Sequence, residues 1–356
     1  MLQRACASVP TRREDLYYTI QKTFGRARAH DPMIWFREVA DMVAQLASAG
    51  LRINGARLME VGTGKWLDMP VGFYLCGAAG ITTFDLHRYL RSELVSDSLS
   101  FIRTNPDAIR RVFARVAVPE ILEERIAALS AIKTSSDVFR VANISYRAPA
   151  DAAKTDLPDA SIDAHFSFTV FEHIPEEVLI GVLTESNRLL SWSGVALHHI
   201  DLSDHFSHSD PHISGINFLQ FSASEWNRYA GNQFAYHNRL RAPDYRRIYA
   251  DSRHAILGWQ PTVNEECVRL LSQGFPLAPE YRNIPLEFLR NVLEHFSGEC
   301  EEASPIRRPC RFRGPRLARR RRYGSCLRSE WSRGQTLPTL RPARERGHRI
   351  LRREPF

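Results

Sequence analysis

The stretch Leu58-Met59-Glu60-Val61-Gly62-Thr63-Gly64 follows a polar turn and reads as a buried strand running into a glycine loop. Without a Cβ at Gly62 or Gly64, the main chain there can approach a ligand closely. About twenty residues on, Ile81-Thr82-Thr83-Phe84-Asp85 reads as a second strand that delivers an acid to its C-terminal end, where a carboxylate can accept hydrogen bonds from two ribose hydroxyls. A nucleoside-containing ligand is implied.

Other glycine-loop chemistries do not fit. A dinucleotide fingerprint needs a third glycine where this chain has Leu67. A phosphate-cradling loop needs Gly-Lys followed by Ser or Thr, whereas Gly64-Lys65 is followed by Trp66. What remains is Glu60 in the pattern Glu-x-Gly-x-Gly, which resembles the first motif of class I S-adenosylmethionine-dependent methyltransferases, without the third glycine common there. Downstream, Asp151-Ala152, Asp156-Leu157-Pro158 and Ser161-Ile162-Asp163 precede Ala164-His165-Phe166-Ser167-Phe168-Thr169, an order similar to the family's third and fourth strand regions. Phe171-Glu172-His173-Ile174-Pro175 resembles the family's Leu-Glu-His-Ile element after strand four, with Phe171 in place of the leucine. The likeness is firm over residues 50–205 and looser over 206–300. In the looser part, Asn217-Phe218-Leu219-Gln220, Glu225-Trp226 and Tyr236-His237-Asn238-Arg239-Leu240 look like the segment after strand five in a bacterial group of small-molecule or glycan methyltransferases.

The resemblance implies S-adenosyl-L-methionine as cofactor. Glu60, Gly62 and Gly64 would surround its methionine and ribose portions, Asp85 would take the ribose hydroxyls, and Asp151 with Ala152 would meet the adenine. The expected reaction is methyl transfer to an oxygen or nitrogen of a small molecule or saccharide precursor. The strand-four segment Ser167-Phe168-Thr169-Val170 lacks the Asp/Asn-Pro-Pro-aromatic motif of amino-directed DNA methyltransferases, and no Pro-Cys pair stands there. A general base would be a His, Asp or Glu within reach of the acceptor. The candidates are Glu172 and His173 after strand four, and His199 and Asp201 after strand five. His199 has the weaker claim, because strand alternation can turn it into the core. The run from His198 to His212 is dense in potential metal ligands. Adjacent strand histidines face opposite ways, however, and no spacing matches HExxH or a structural zinc pattern, so no metal is expected. The alternative from another class is a catalytically silent member of the fold that serves as a binding scaffold.

With 356 residues, 44% of them hydrophobic, the chain can bury one sizeable core. Its net charge of +8 is concentrated at one end. Residues 301–356 hold 17 Arg, 5 Glu, and no Lys or Asp; removing them from the 48 basic and 40 acidic residues leaves residues 1–300 at −4. Such a tail, with little apolar periodicity, is expected to be disordered. Such a segment can bind nucleic acid or an anionic membrane surface by counterion release, contacting RNA or an acidic partner in the scaffold alternative, or it is what a GC-rich gene read out of frame would encode. Six scattered cysteines without a CxxC pair suit a reducing cytoplasm, the expected location. No apolar run reaches membrane-spanning length.

Along the chain, residues 14–48 read as two helices, the second carrying Met33, Trp35-Phe36, Val39-Ala40, Met42-Val43 and Leu46 at near-helical spacing. Pro70 to Ala79 reads as a short helix, 88–135 as largely helical, Pro175 to about Leu190 as a helix, and Val195 to Ile200 as strand five. Alternating strands and helices predict a doubly wound, mostly parallel α/β sheet, Rossmann-like and of the seven-stranded type. The expected division is an N-terminal helical cap (1–50), a methyltransferase domain (51–300) and an Arg/Pro-rich tail (301–356). The family's seventh, antiparallel strand is not legible between Pro276 and Phe296.

Overall fold

The computed structural model describes residues 18–19, 30–232 and 235–300. The expected first helix, apart from helical Tyr18 and Thr19, and the arginine-rich tail lie outside them. Seven strands are present among the described residues: β1 (Arg57–Val61), β2 (Gly80–Phe84), β3 (Ile144–Arg147), β4 (Ile162–Phe168), β5 (Leu190–Asp201), β6 (His254–Val263) and β7 (Asn291–Cys300). They form one sheet of order β3-β2-β1-β4-β5-β7-β6. β1 to β5 pair in parallel, and β7 lies antiparallel to both β5 and β6.

A parallel sheet must be covered on both faces, and the period of two along its strands sorts side chains accordingly. Leu58 on β1 and Val195 and Leu197 on β5 pack with the helices Pro32–Ser48, Asp68–Leu75, Ser92–Thr104, Pro106–Phe113 and Pro119–Ser130. Met59 and Val61 on β1 and Ala196 and Ile200 on β5 pack instead with Glu176–Leu189 and Ala242–Asp251. The helix Pro32–Ser48 starts at Asp31, whose side chain accepts from the Met33 amide, and buries Phe36, Val39, Met42, Val43 and Leu46 in the first of these clusters. The methionine-aromatic stripe is therefore core packing.

The seventh strand is the place where sequence reading fell short. β7 begins only at Asn291, and the preceding stretch carries a 3-10 turn (Pro279–Tyr281) and a short helix (Leu286–Leu289). Fully buried Arg241 secures the start of β7. Its guanidinium donates to the carbonyls of Leu202 (2.7 Å), Leu289 (3.2 Å) and Asn291 (2.6 Å), tying the end of β5 to the reversed strand.

Candidate functional site

β1 and β2 pair with Glu60 opposite Thr83 and Val61 opposite Phe84, so their C-terminal loops emerge side by side. Gly62 has φ +88° and donates its amide to the Phe84 carbonyl at 2.8 Å. Gly64 has φ +70° and donates to Asp85 Oδ2 at 2.9 Å, while the His87 amide reaches Oδ1 at 3.2 Å. These bonds fix the acid against the glycine loop. Burial raises the Asp85 pKa, opposed by the amides of Gly64 and His87. A Cβ on Gly64 would meet nothing within 4 Å, so the loop leaves open space where a ligand's backbone approach is needed.

The loop borders a cavity of about 700 Å³, within the range of about 300–1,000 Å³ usual for ligand pockets. Gly62, Gly64, Asp85, Asp151, Ala152 and His173 all line it. Val61, Phe84, Val170, Ile174 and Val178 supply apolar walls. Asp151 follows β3 and accepts the Ala153 amide at 2.8 Å, which holds the turn that presents Ala152. Thr169, just beyond β4, lines the cavity at φ +51°, an uncommon conformation for a β-branched residue. Sequence reasoning missed the polar end of the cavity. There Tyr18, Lys65 and Arg91 converge, with the Arg91 guanidinium 4.5 Å from the Tyr18 ring centre and Lys65 Nζ 5.8 Å from it. No motif announces this grouping, because the three residues come from segments distant in the sequence.

Glu60 lies behind the wall rather than in it. Thr83 donates its hydroxyl to Glu60 and is itself bonded to the hydroxyl of Thr63. Burial lifts the Glu60 pKa to about 8, the Thr83 hydrogen bond opposing and Asp85 reinforcing.

The candidate bases are placed unequally. His173 is in the cavity wall, with Nδ1 2.9 Å from the Tyr236 carbonyl. A carbonyl only accepts, so Nδ1 carries the proton and the neutral ring keeps its lone pair on Nε2. Desolvation in the wall, followed by His205, lowers the His173 pKa to about 4. Glu172 is wholly buried and outside the cavity wall, and neither carboxylate oxygen has a hydrogen-bond partner. Its pKa is pushed up by burial and by Asp201. Asp201 lies 3.4 Å from Nε2 of His205 and of His208, and accepts from the Ser203 hydroxyl at 2.6 Å. Burial works to raise its pKa, but His205 and Ser203 bring it down to about 2. His199 is fully buried on β5, outside the cavity wall, with its ring 5.3 Å from that of Phe168.

No known family profile and no curated protein matches the chain. Solved structures do resemble it. The geranyl diphosphate C-methyltransferase of Streptomyces coelicolor A3(2), in complex with Mg²⁺, geranyl diphosphate and S-adenosyl-L-homocysteine, is 12% identical at a TM-score of 0.40, over 83% of this chain and 87% of that one. The magnesium protoporphyrin IX methyltransferase of Synechocystis PCC 6803 is 11% identical at a TM-score of 0.42, over 81% and 94%. The [4+2]-cyclase SpnF is 13% identical at 0.39, over 74% and 81%. With its 3-2-1-4-5 parallel core, reversed seventh strand and glycine loop at the end of β1, this chain has the fold of the class I S-adenosylmethionine-dependent methyltransferases that its sequence resembles.

Proposed function

We propose that the chain binds S-adenosyl-L-methionine in this cavity and directs methyl transfer to an oxygen or nitrogen of a small-molecule acceptor, with residues 51–300 as the catalytic domain. One observation carries the reading: the open glycine loop, an acid at the end of β2 and the Asp151-Ala152 turn after β3 converge on a single apolar-walled cavity. The donor set fits the cofactor. Asp85 can accept ribose hydroxyls, Asp151 can take the adenine amino group, and Gly64 admits the ligand against main chain. The bound cofactor supplies an electrophilic methyl on a sulfonium.

In-line displacement leaves the protein chiefly a positioning task, for which well-oriented pairs reach effective molarities of about 10⁵–10⁸ M. Val61, Phe84, Val170, Ile174 and Val178 give the cavity an apolar lining against which the acceptor can be held. His173, fixed by Tyr236 and neutral at physiological pH, can receive the acceptor's proton on Nε2. Glu172 and Asp201 would act only through neighbours, since neither lines the cavity.

Calorimetry with S-adenosylmethionine on the wild-type and Asp85→Asn proteins tests the reading. Saturable binding that weakens in the variant supports it. Failure of the wild-type protein to bind would leave a scaffold role for the fold, and equal binding by both would remove the site assignment.

A further inference from the structure

We infer that Glu172, His173 and His205 form a binding site for one divalent transition-metal cation of the zinc class, at the inner edge of the cavity. Each of the three offers one donor atom, and these atoms lie within 4.8 Å of one another. Donors around a tetrahedral ion with bonds of about 2.0–2.2 Å sit roughly 3.3–3.6 Å apart, so inward rotation of the side chains by about an ångström closes the site. Two imidazoles and one carboxylate form the donor set that borderline divalent cations favour.

Three further observations point to a ligand rather than a chance cluster. First, Glu172 is fully buried with neither carboxylate oxygen bonded, a costly arrangement that a cation would resolve. Second, His173 is oriented as metal-binding imidazoles usually are, with Nδ1 on the Tyr236 carbonyl at 2.9 Å and Nε2 left for the metal. Third, the buried ring of His237, neither nitrogen of which is hydrogen-bonded, lies 4.6 Å from His205 and 6.1 Å from His173 between centroids. It closes the pocket with a further imidazole. Strand geometry alone, which sends neighbouring residues to opposite faces, argued against a metal in the histidine run. The residues that gather come instead from the turn after β4 and the 3-10 turn His205–His208 after β5.

The inference stands apart from the methyl-transfer reading, because cation binding is measured without the methyl donor. The two meet at His173, whose Nε2 lone pair can hold a proton or a cation but not both.

Untagged, chelator-treated full-length protein is titrated with Zn²⁺ alone in a calorimeter, and with Co²⁺ while its ligand-field absorption is recorded. One saturable Zn²⁺ per chain is expected, together with a Co²⁺ spectrum of low-symmetry nitrogen/oxygen coordination that Zn²⁺ abolishes. Glu172→Gln and His205→Asn should each weaken Zn²⁺ at least tenfold, while exposed His212→Ala leaves it unchanged. The Co²⁺ spectrum of the wild-type protein keeps the test decisive should a variant not fold. Absence of saturable Zn²⁺ binding overturns the proposal. So does binding that survives Glu172→Gln but is lost in Asp201→Asn and His208→Ala, which would move the ion to the neighbouring Asp201-His205-His208 group.

Discussion

Replacing Gly62 by alanine separates two physical effects at the glycine loop. Gly62 sits at φ +88°, and a Cβ there would collide with the Val170 side chain, reaching Cγ1 at 2.8 Å and Cβ at 3.2 Å. An L-residue in the left-handed region costs roughly 1–2 kcal/mol, and overpacking a filled space costs typically about 1–3 kcal/mol more. The sum, about 2–5 kcal/mol, is a large share of a domain's stability of about 5–15 kcal/mol. Gly64→Ala is the internal comparison. Its φ is +70° with nothing within 4 Å of the new Cβ, so it should lose only the backbone contribution of about 1–2 kcal/mol. The double variant Gly62→Ala/Val170→Ala removes the clashing methyls and should regain much of the packing loss while the φ strain remains. Urea unfolding at constant m measures all three. Equal losses for Gly62→Ala and Gly64→Ala, or no recovery in the double variant, would show that Val170 is not what confines Gly62. Because Val170 also lines the cavity, Gly62→Ala should weaken S-adenosylmethionine binding by displacing that wall, and Gly64→Ala should do so by entering the ligand's space directly.

Asp85→Asn forfeits charge-assisted acceptance from the Gly64 and His87 amides and from the ligand, so calorimetric affinity for S-adenosylmethionine should fall about 10- to 150-fold, equivalent to about 1.5–3 kcal/mol. Glu60 holds its proton in the fold up to about pH 8 but releases it near the ordinary 4.5 when unfolded. Its stabilising contribution is therefore full below pH 4.5 and lost as pH rises from 4.5 to 8. Thermal melts across that window should show Glu60→Gln losing less stability with rising pH than the wild type, and parallel curves would contradict the assignment. Arg241→Met leaves the carbonyls of Leu202, Leu289 and Asn291 without their buried donor, and chemical denaturation should register a loss of about 3–5 kcal/mol.

The glycine-loop end of the cavity was legible in the sequence because each part is short-range. A strand, two glycines at φ > 0 and an acid about twenty residues on, at the next strand's end, have their spacing set by one βαβ unit, and Gly62, Gly64 and Asp85 all line the cavity. The same holds for Asp151-Ala152 and for the stripe from Met33 to Leu46, whose 3.6-residue period needs no partner to be read. What the tertiary structure decided depends on contacts distant in sequence. β7 is strand because β5 and β6 pair with it on either side, and no pattern within Asn291–Cys300 declares that. The 3-10 turn Phe171–His173 after β4 carries His173 into the cavity wall, whereas strand register buries His199 in the sheet. Glu60 sits behind the wall for the same reason, drawn to Thr83 across the β1–β2 pair. The gathering of Glu172, His173, His205 and His237, and of Tyr18, Lys65 and Arg91, arises only when segments distant in the chain fold together, because proximity between side chains from different segments is a property of the fold and not of spacing along the chain.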